Sequence, residues 1–194
     1  MQIELEAPPT RIERLKAITD ATHERLDKRI MAAGPFDSRE RYALFLDVQH
    51  RFHADVDPLY NDLLLGRLVP DLPGRARLSL LRQDIADISG VMPAASHVEA
   101  SPRTSPAALG WLYVAEGSTL GAAFLLKEAA KLGLSAEFGA RHLAPHPEGR
   151  GLHWRTFVAA FNALDLSKAD EVEVAEGAKA AFHRVHALVE QVFG

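Results

Sequence analysis

Apolar residues recur at three- and four-residue spacing through most of the chain, and no stretch shows the clean alternation of a strand. From Arg11 onward, Ile12, Leu15, Ile18, Thr22, Leu26 and Ile30 share a helical face. This first helix opens at Pro8-Pro9-Thr10, with Thr10 or a neighbour as N-cap, and Gly34-Pro35 stops it. Asp37 and Glu40 have the spacing of a capping box and open a second helix. It carries Tyr42, Phe45, Val48, Phe52, Val56 and Leu59 on one face, and Pro58 should kink or interrupt it near its end. A third helix is expected from about Pro73 to Ile88, with Leu78, Leu81, Ile85 and Ile88 inward. Residues 89–105, rich in Ser, Pro and Ala, read as a connection. Ser105-Pro106 fits an N-cap and a first-turn proline for a long apolar helix to Lys131, with Gly133 as terminator. Residues 134–151 read as a loop with a short turn. A helix from about Leu152 to Leu164 follows, and Ser167 or Asp170 caps a last one ending near Phe193. Neither an internal repeat nor a domain-splitting linker is visible, so the pattern predicts one all-α domain over residues 1–194.

Composition narrows the chemistry. With 47% hydrophobic and 25% charged residues the chain is an ordinary globular one, and its net charge of −4 argues against a nucleic-acid binder. No cysteine is present, which removes disulfides, thiolate metal sites, cysteine nucleophiles and covalent haem attachment through C-x-x-C-H together. The acidic start Met1-Gln-Ile-Glu-Leu-Glu lacks the basic-then-apolar order of a secretory signal, so a cytoplasmic location is expected. Between Pro106 and Leu126 the only charge is Glu116, and that length could span a bilayer. Glu116, Gly117, Ser118, Thr119 and Gly121 at its centre favour a buried core helix, and no membrane partner is expected.

Three anomalies carry candidate chemistry. On the first helix, with Ile12 at 0°, His23 falls near 20° and Lys16 near 40°, at the edge of the apolar stripe and two turns apart. That arrangement suits a flat amphipathic ligand with a central metal and an acidic rim; the alternative is a surface histidine in a charged run. On the second helix, Gln49 lies among Tyr42, Phe52 and Val56, with His53 one turn on. A glutamine there costs about 1–3 kcal/mol if unpaired, so it is either a satisfied core residue or part of a polar network. On the long apolar helix, Gly110, Gly117 and Gly121 together forfeit roughly 3 kcal/mol of helix propensity. They leave a strip of bare backbone for close approach, by another helix or by a flat ligand, and they invite a bend.

The words around these positions resemble one family. Tyr113-Val-Ala-Glu-Gly-Ser-Thr-Leu-Gly-Ala122, with Phe124-Leu-Leu-Lys127 following, is similar to the distal helix of bacterial haem oxygenases. Ala21-Thr-His-Glu-Arg-Leu-Asp27 resembles their proximal helix, and Gly139-Ala-Arg-His142 and His153-Trp-Arg-Thr-Phe157 match in order and spacing. The resemblance covers about residues 15–160 and implies an all-helical fold holding haem between the first helix and a kinked distal helix. It implies that His23 is the proximal iron ligand, and that Gly117 and Gly121 bring backbone close over the macrocycle. Gln49, His53, Arg77 and Trp154 would surround distal waters, and Lys16, Tyr113 and Ser118 would hold the propionates. The implied reaction cleaves haem, at once substrate and cofactor, at a meso carbon with O2. Its products are biliverdin, carbon monoxide and iron. A separate electron donor such as a ferredoxin or flavin reductase is implied, since no flavin or nicotinamide motif is present. A bacteriophytochrome that accepts biliverdin is a further partner the resemblance suggests. The aspartate-containing distal word of the mammalian branch is absent, so no distal carboxylate is expected to activate water.

Two other readings remain at this stage. A haem carrier or sensor on the same fold would use the same residues. A non-haem di-metal protein would need inward carboxylates and histidines at Glu-x-x-His-like spacing, which His50-Arg-Phe-His53 lacks. The position of the cleaved carbon, the oligomeric state and any role for His183 and His186 are not legible, and solvated helix faces account for the last two.

Overall fold

The computed structural model describes residues 8–93 and 106–194. Seven α-helices are present among them: α1 (Arg11–Ala32), α2 (Arg39–Tyr60), α3 (Leu63–Leu68), α4 (Leu78–Ile88), α5 (Pro106–Ala130), α6 (Arg150–Asn162) and α7 (Lys168–Phe193). Short 3-10 turns at Pro73–Arg75 and Arg141–Leu143 complete the described secondary structure, apart from isolated bridges from Ser135 to Phe138 and Gly139. The architecture is all-α.

Local chemistry accounts for most helix ends. Thr10 accepts from the Glu13 amide while Glu13 accepts from the Thr10 amide, and Ser167 and Asp170 close the same capping box on α7. Gly34, at φ +60°, turns the chain after α1, and the Arg41 guanidinium donates to the Ala33 and Gly34 carbonyls left open there. Arg11 ties the other end of α1 to its neighbours: it pairs with Glu171 at 2.9 Å and donates to the Phe161 and Leu164 carbonyls.

Several boundaries differ from the sequence expectation. Ser38, not Asp37, caps α2, its hydroxyl accepting from the Arg41 amide. Pro58 sits in the last turn of α2, which continues only to Tyr60. The expected third helix is split: Pro73–Arg75 is a 3-10 turn, Ala76 is extended, and α4 starts at Leu78. The short helix α3 has no apolar periodicity to announce it, and Asp62 builds it by accepting from the Leu64 and Leu65 amides. Helix α5 ends at Ala130, and α6 runs from Arg150 to Asn162, about two residues earlier at each end than its pattern suggests. Ser105, the expected cap of α5, lies outside the described residues. Ile18, expected inward, is 51% exposed, because α1 buries only the stripe of Arg11, Leu15, Thr19 and Leu26. Ile88 is half-buried.

Helix α5 is the spine. Although long and apolar enough to cross a membrane, it is packed here against α7, α2 and α6. Its residues from Ala108 to Glu116 are buried on nearly every side, whereas beyond Gly117 only Ala122 and Ala129 are buried. The α5–α7 crossing is a backbone contact. A Cβ built on Gly110 would lie 2.1 Å from the Val174 carbonyl oxygen, and one on Gly177 would lie 2.1 Å from that of Ala107. Leu109, Leu112, Phe157, Phe161, Val174, Ala178 and Leu188 pack around this crossing, while Phe45, Leu81, Ile85, Ala122 and Leu143 form a second cluster.

Gly177→Ala is expected to destabilise the protein by about 3 kcal/mol in urea denaturation, since both facing groups are backbone. Gly66→Ala, where a Cβ meets nothing within 4 Å, should be neutral or stabilising by up to about 1 kcal/mol. Equal effects would refute the backbone-contact account.

Candidate functional site

The three glycines of α5 share a helical face but not an environment. Gly110 is jammed against α7, while a Cβ on Gly121 would meet nothing within 4 Å and one on Gly117 only Trp154 Cη2, at 3.9 Å. Among the described residues, no atom requires a glycine at 117 or 121. The alternative of tight helix packing thus explains Gly110 and fails for the other two. The surface around them is apolar and uncovered, with Leu120 43% and Phe124 54% exposed.

Helix α1 packs on α7 and α6 and reaches α5 at Tyr113, whose hydroxyl is placed beside Thr19 and Asp20. Burial raises the Tyr113 phenol above its ordinary value. From Tyr113, Gly117 and Gly121 follow at four-residue steps on α5; from Thr19, His23 follows at the same step on α1. Lys16 is exposed. The His23 side chain is 56% exposed, its Nδ1 lies 3.4 Å from Asp27 Oδ2, and its ring meets Phe182 edge-on at 5.7 Å. Nε2 is therefore the nitrogen available to a ligand. Trp154 lies between the pieces, stacked on Phe157 at 5.5 Å and 6.3 Å from Tyr113. Ser118 is exposed, and its hydroxyl donates to the Ala115 carbonyl of its own helix.

A group of polar side chains gathers where α2 meets α4 and the Arg141–Leu143 turn. His53 is buried, and its Nδ1 has no hydrogen-bond partner. Burial, reinforced by His142, Arg77 and His50, holds its imidazole down to about 3, so it is neutral. Gln49 is half-buried one turn away. Arg77 is buried at the start of α4 and donates to the Ala144 carbonyl at 3.3 Å. It also lines a cavity of about 360 Å³ with Arg141 and His146.

Two buried clusters were not assigned from sequence. In the first, Glu116 (1% exposed) accepts from the Tyr60 hydroxyl at 2.9 Å and from Arg75 at 2.8 Å, with His153 Nε2 at 3.4 Å. Its signal was visible, since Glu116 is the only charge in the apolar run; Arg75 had none. In the second, Asp84 accepts from the His142 amide and faces His142 Nδ1 at 2.8 Å, leaving His142 Nε2 buried without a partner. Burial alone would raise the Asp84 carboxyl, but the hydrogen bonds from His142 and Arg141 outweigh it and hold it below its usual value. Burial lowers His142, with Asp84 pulling the other way. Burial also lowers His50, both of whose ring nitrogens are without partners.

Comparison with known proteins gives these groups a context. The chain matches the family model described as Heme oxygenase over residues 10–191. It is 42% identical over 184 residues to heme oxygenase PigA of Pseudomonas aeruginosa, covering 94% of this chain and 93% of that protein. It superposes on the NO- and CO-bound heme oxygenase of Neisseria meningitidis with a TM-score of 0.90 at 45% identity, covering 96% of this chain and 94% of that one. Heme oxygenase 2 of Chlamydomonas reinhardtii, solved without heme, shares the fold at a TM-score of 0.84 and 16% identity, covering 95% and 98% of the two chains.

Glu116→Ala leaves a guanidinium buried without its carboxylate and should cost about 3–5 kcal/mol in urea denaturation; a loss below about 1 kcal/mol would show the pair to be dispensable. A pH effect follows from the imidazoles. Below about pH 6.5 the unfolded chain protonates its histidines, while folding keeps His53 neutral and makes His50 and His142 harder to protonate, so stability is full above that pH and lost on acidification. A loss of at least roughly 2 kcal/mol between pH 6.5 and 4.5 is expected, and a flat profile would contradict the burial of these rings.

Proposed function

The chain belongs to the haem oxygenase family, whose activity is haem degradation, and from that premise we propose that it cleaves haem at a meso carbon to biliverdin, carbon monoxide and iron. One observation carries the assignment of the site. Among the described residues nothing crowds the bare backbone of Gly117 and Gly121, where only Trp154 comes near, at 3.9 Å from a Cβ on Gly117, and exposed Leu120 and Phe124 lie alongside. A flat macrocycle accounts for both features.

Bound haem supplies both the iron at which O2 is activated and the carbon that is oxidised. His23 Nε2 would ligate the haem iron, with Asp27 orienting the ring through Nδ1. A neutral imidazole lacks the electron push of a thiolate that favours O–O cleavage. Gly117 and Gly121 would let the α5 backbone lie against the flat macrocycle and restrict the space on that side of it. Lys16, Tyr113 and Ser118 hold the propionates, Lys16 as a mobile exposed cation and Tyr113 as a hydroxyl fixed beside Thr19.

Gln49, His53, Arg77 and Trp154 hold distal waters. The unpartnered Nδ1 of His53 supports this, because a buried polar atom left alone is costly and a water satisfies it. The His53 ring stays neutral at physiological pH, so it orients water without acting as a strong acid. Electrons come from a separate donor, a ferredoxin or flavin reductase, and the reaction runs in the cytoplasm. A bacteriophytochrome is one class of protein that would take up the biliverdin. The carrier reading has no observation of its own in its favour. The di-metal reading needs a free inward carboxylate, and Glu116 is already committed to Arg75 and Tyr60.

Haemin with a reductant should lose its Soret band to a biliverdin spectrum; a stable Soret band would leave only a haem carrier. His23→Ala should abolish turnover and remove histidine ligation in the haem spectrum. Gly121→Ala separates ligand from packing: the haem-free protein should gain up to about 1 kcal/mol of stability, while haem affinity falls at least about tenfold, equivalent to 1.4 kcal/mol. A Gly121→Ala protein with unaltered affinity would remove the strip from the site.

A further inference from the structure

We propose that Arg150 is a positioning residue that holds the glycine strip of α5 in place. It is the first residue of α6, is half-buried, and makes no ion pair with a carboxylate among the described residues. Its Nη1 donates to the Thr119 carbonyl at 2.8 Å, and its Nη2 donates to the Leu143 carbonyl. Burial and the neighbouring Arg77 both work against this charge. A guanidinium kept there without a counter-ion is held by the backbone carbonyls it bridges.

The position of the bridged carbonyl is informative. Thr119 is the middle residue of the interval from Gly117 to Gly121, where α5 has lost side chains on one face and has little covering it. In a regular helix the Thr119 carbonyl accepts from the Ala123 amide, so Arg150 adds a second donor. Two other carbonyls in this stretch also receive second donors: the Ser118 hydroxyl donates to Ala115 at 2.6 Å and the Thr119 hydroxyl to Glu116 at 2.7 Å. Additional donors of this kind tilt carbonyls outward and bend helices. Of the three, only Arg150 reaches in from another element. It therefore links the height and tilt of the strip to the start of α6, the helix that also carries His153 and Trp154.

This inference rests on the haem reading for its consequence but not for its first measurement. Hydrogen exchange of the haem-free protein should show amides from Gly121 to Phe124 exchanging at least tenfold faster in Arg150→Met, with Leu109–Glu116 unchanged. Arg150→Lys, which retains one donor, should fall between. With haemin and reductant, Arg150→Met should yield a changed ratio of biliverdin isomers, partly restored in Arg150→Lys. Unchanged exchange at Gly121–Phe124, or a uniform rise along the whole of α5, would overturn the anchoring contact. Local acceleration with an unaltered isomer ratio would overturn the positioning role. Failure of the wild-type protein to bind haem would instead strike the proposed function, leaving the exchange result standing.

Discussion

The backbone-to-backbone crossing of α5 and α7 is the constraint from which the remaining geometry follows. Gly110 and Gly177 remove the two Cβ atoms that would hold these helices apart, and carbonyl oxygens occupy that space. A contact without side chains has little play, so it fixes the depth and rotation of α5 more sharply than interdigitated leucines would. Because α5 is one unbroken helix from Pro106 to Ala130, the face seen at Gly110 is carried forward to Gly117 and Gly121 by helical periodicity alone. The crossing thus sets where the open strip points.

A helix fixed at one end still needs its exposed half held. Immediately before the strip, Glu116 turns inward to Arg75 and Tyr60, and His153 of α6 closes on the same carboxylate. A buried ion pair of this kind adds little net stability over an apolar replacement, but it penalises displacement heavily, because moving either partner strands a charge. Trp154 stands beside Gly117, and Arg150 binds the Thr119 carbonyl two residues further on. Helix α6 therefore touches this part of α5 at three places, Glu116, Gly117 and Thr119.

The elements of the fold were legible where side-chain chemistry is local. The N-caps at Thr10 and Ser167, each one of the positions the sequence offered, the Gly34 stop and the apolar stripe of α2 need only a few consecutive residues to operate. Misplaced features depend on distant partners. Ile18 continues the stripe of α1 on a helical wheel, yet it is left half exposed, and no wheel contains that information. Asp84 sits three residues after Leu81 and one before Ile85, on the inward face of α4, and was passed over because its partner His142 lies 58 residues away. Arg75 and Arg150 fall in turns and at a helix start, where arginine is unremarkable in sequence. For Asp84, Arg75 and Arg150 what the sequence lacked was a long-range hydrogen bond.

The glycines of α5 show how far a pattern can carry a functional claim. Sequence alone offered two causes for a bare strip, close helix packing or a flat ligand, and both operate on the same helix seven residues apart. At Gly110 the lost helix propensity is compensated within the chain by the contact with α7. At Gly117 and Gly121 no intramolecular contact offsets it, and exposed Leu120 and Phe124 add apolar surface that water covers poorly. A folded chain that leaves such a deficit in place gains most from whatever closes it, since a ligand bound only by the folded state stabilises it in proportion to the logarithm of its concentration over its Kd. The uncovered strip is thus itself a reservoir of binding free energy, directed at an object that is flat, apolar and large enough to cover both glycines.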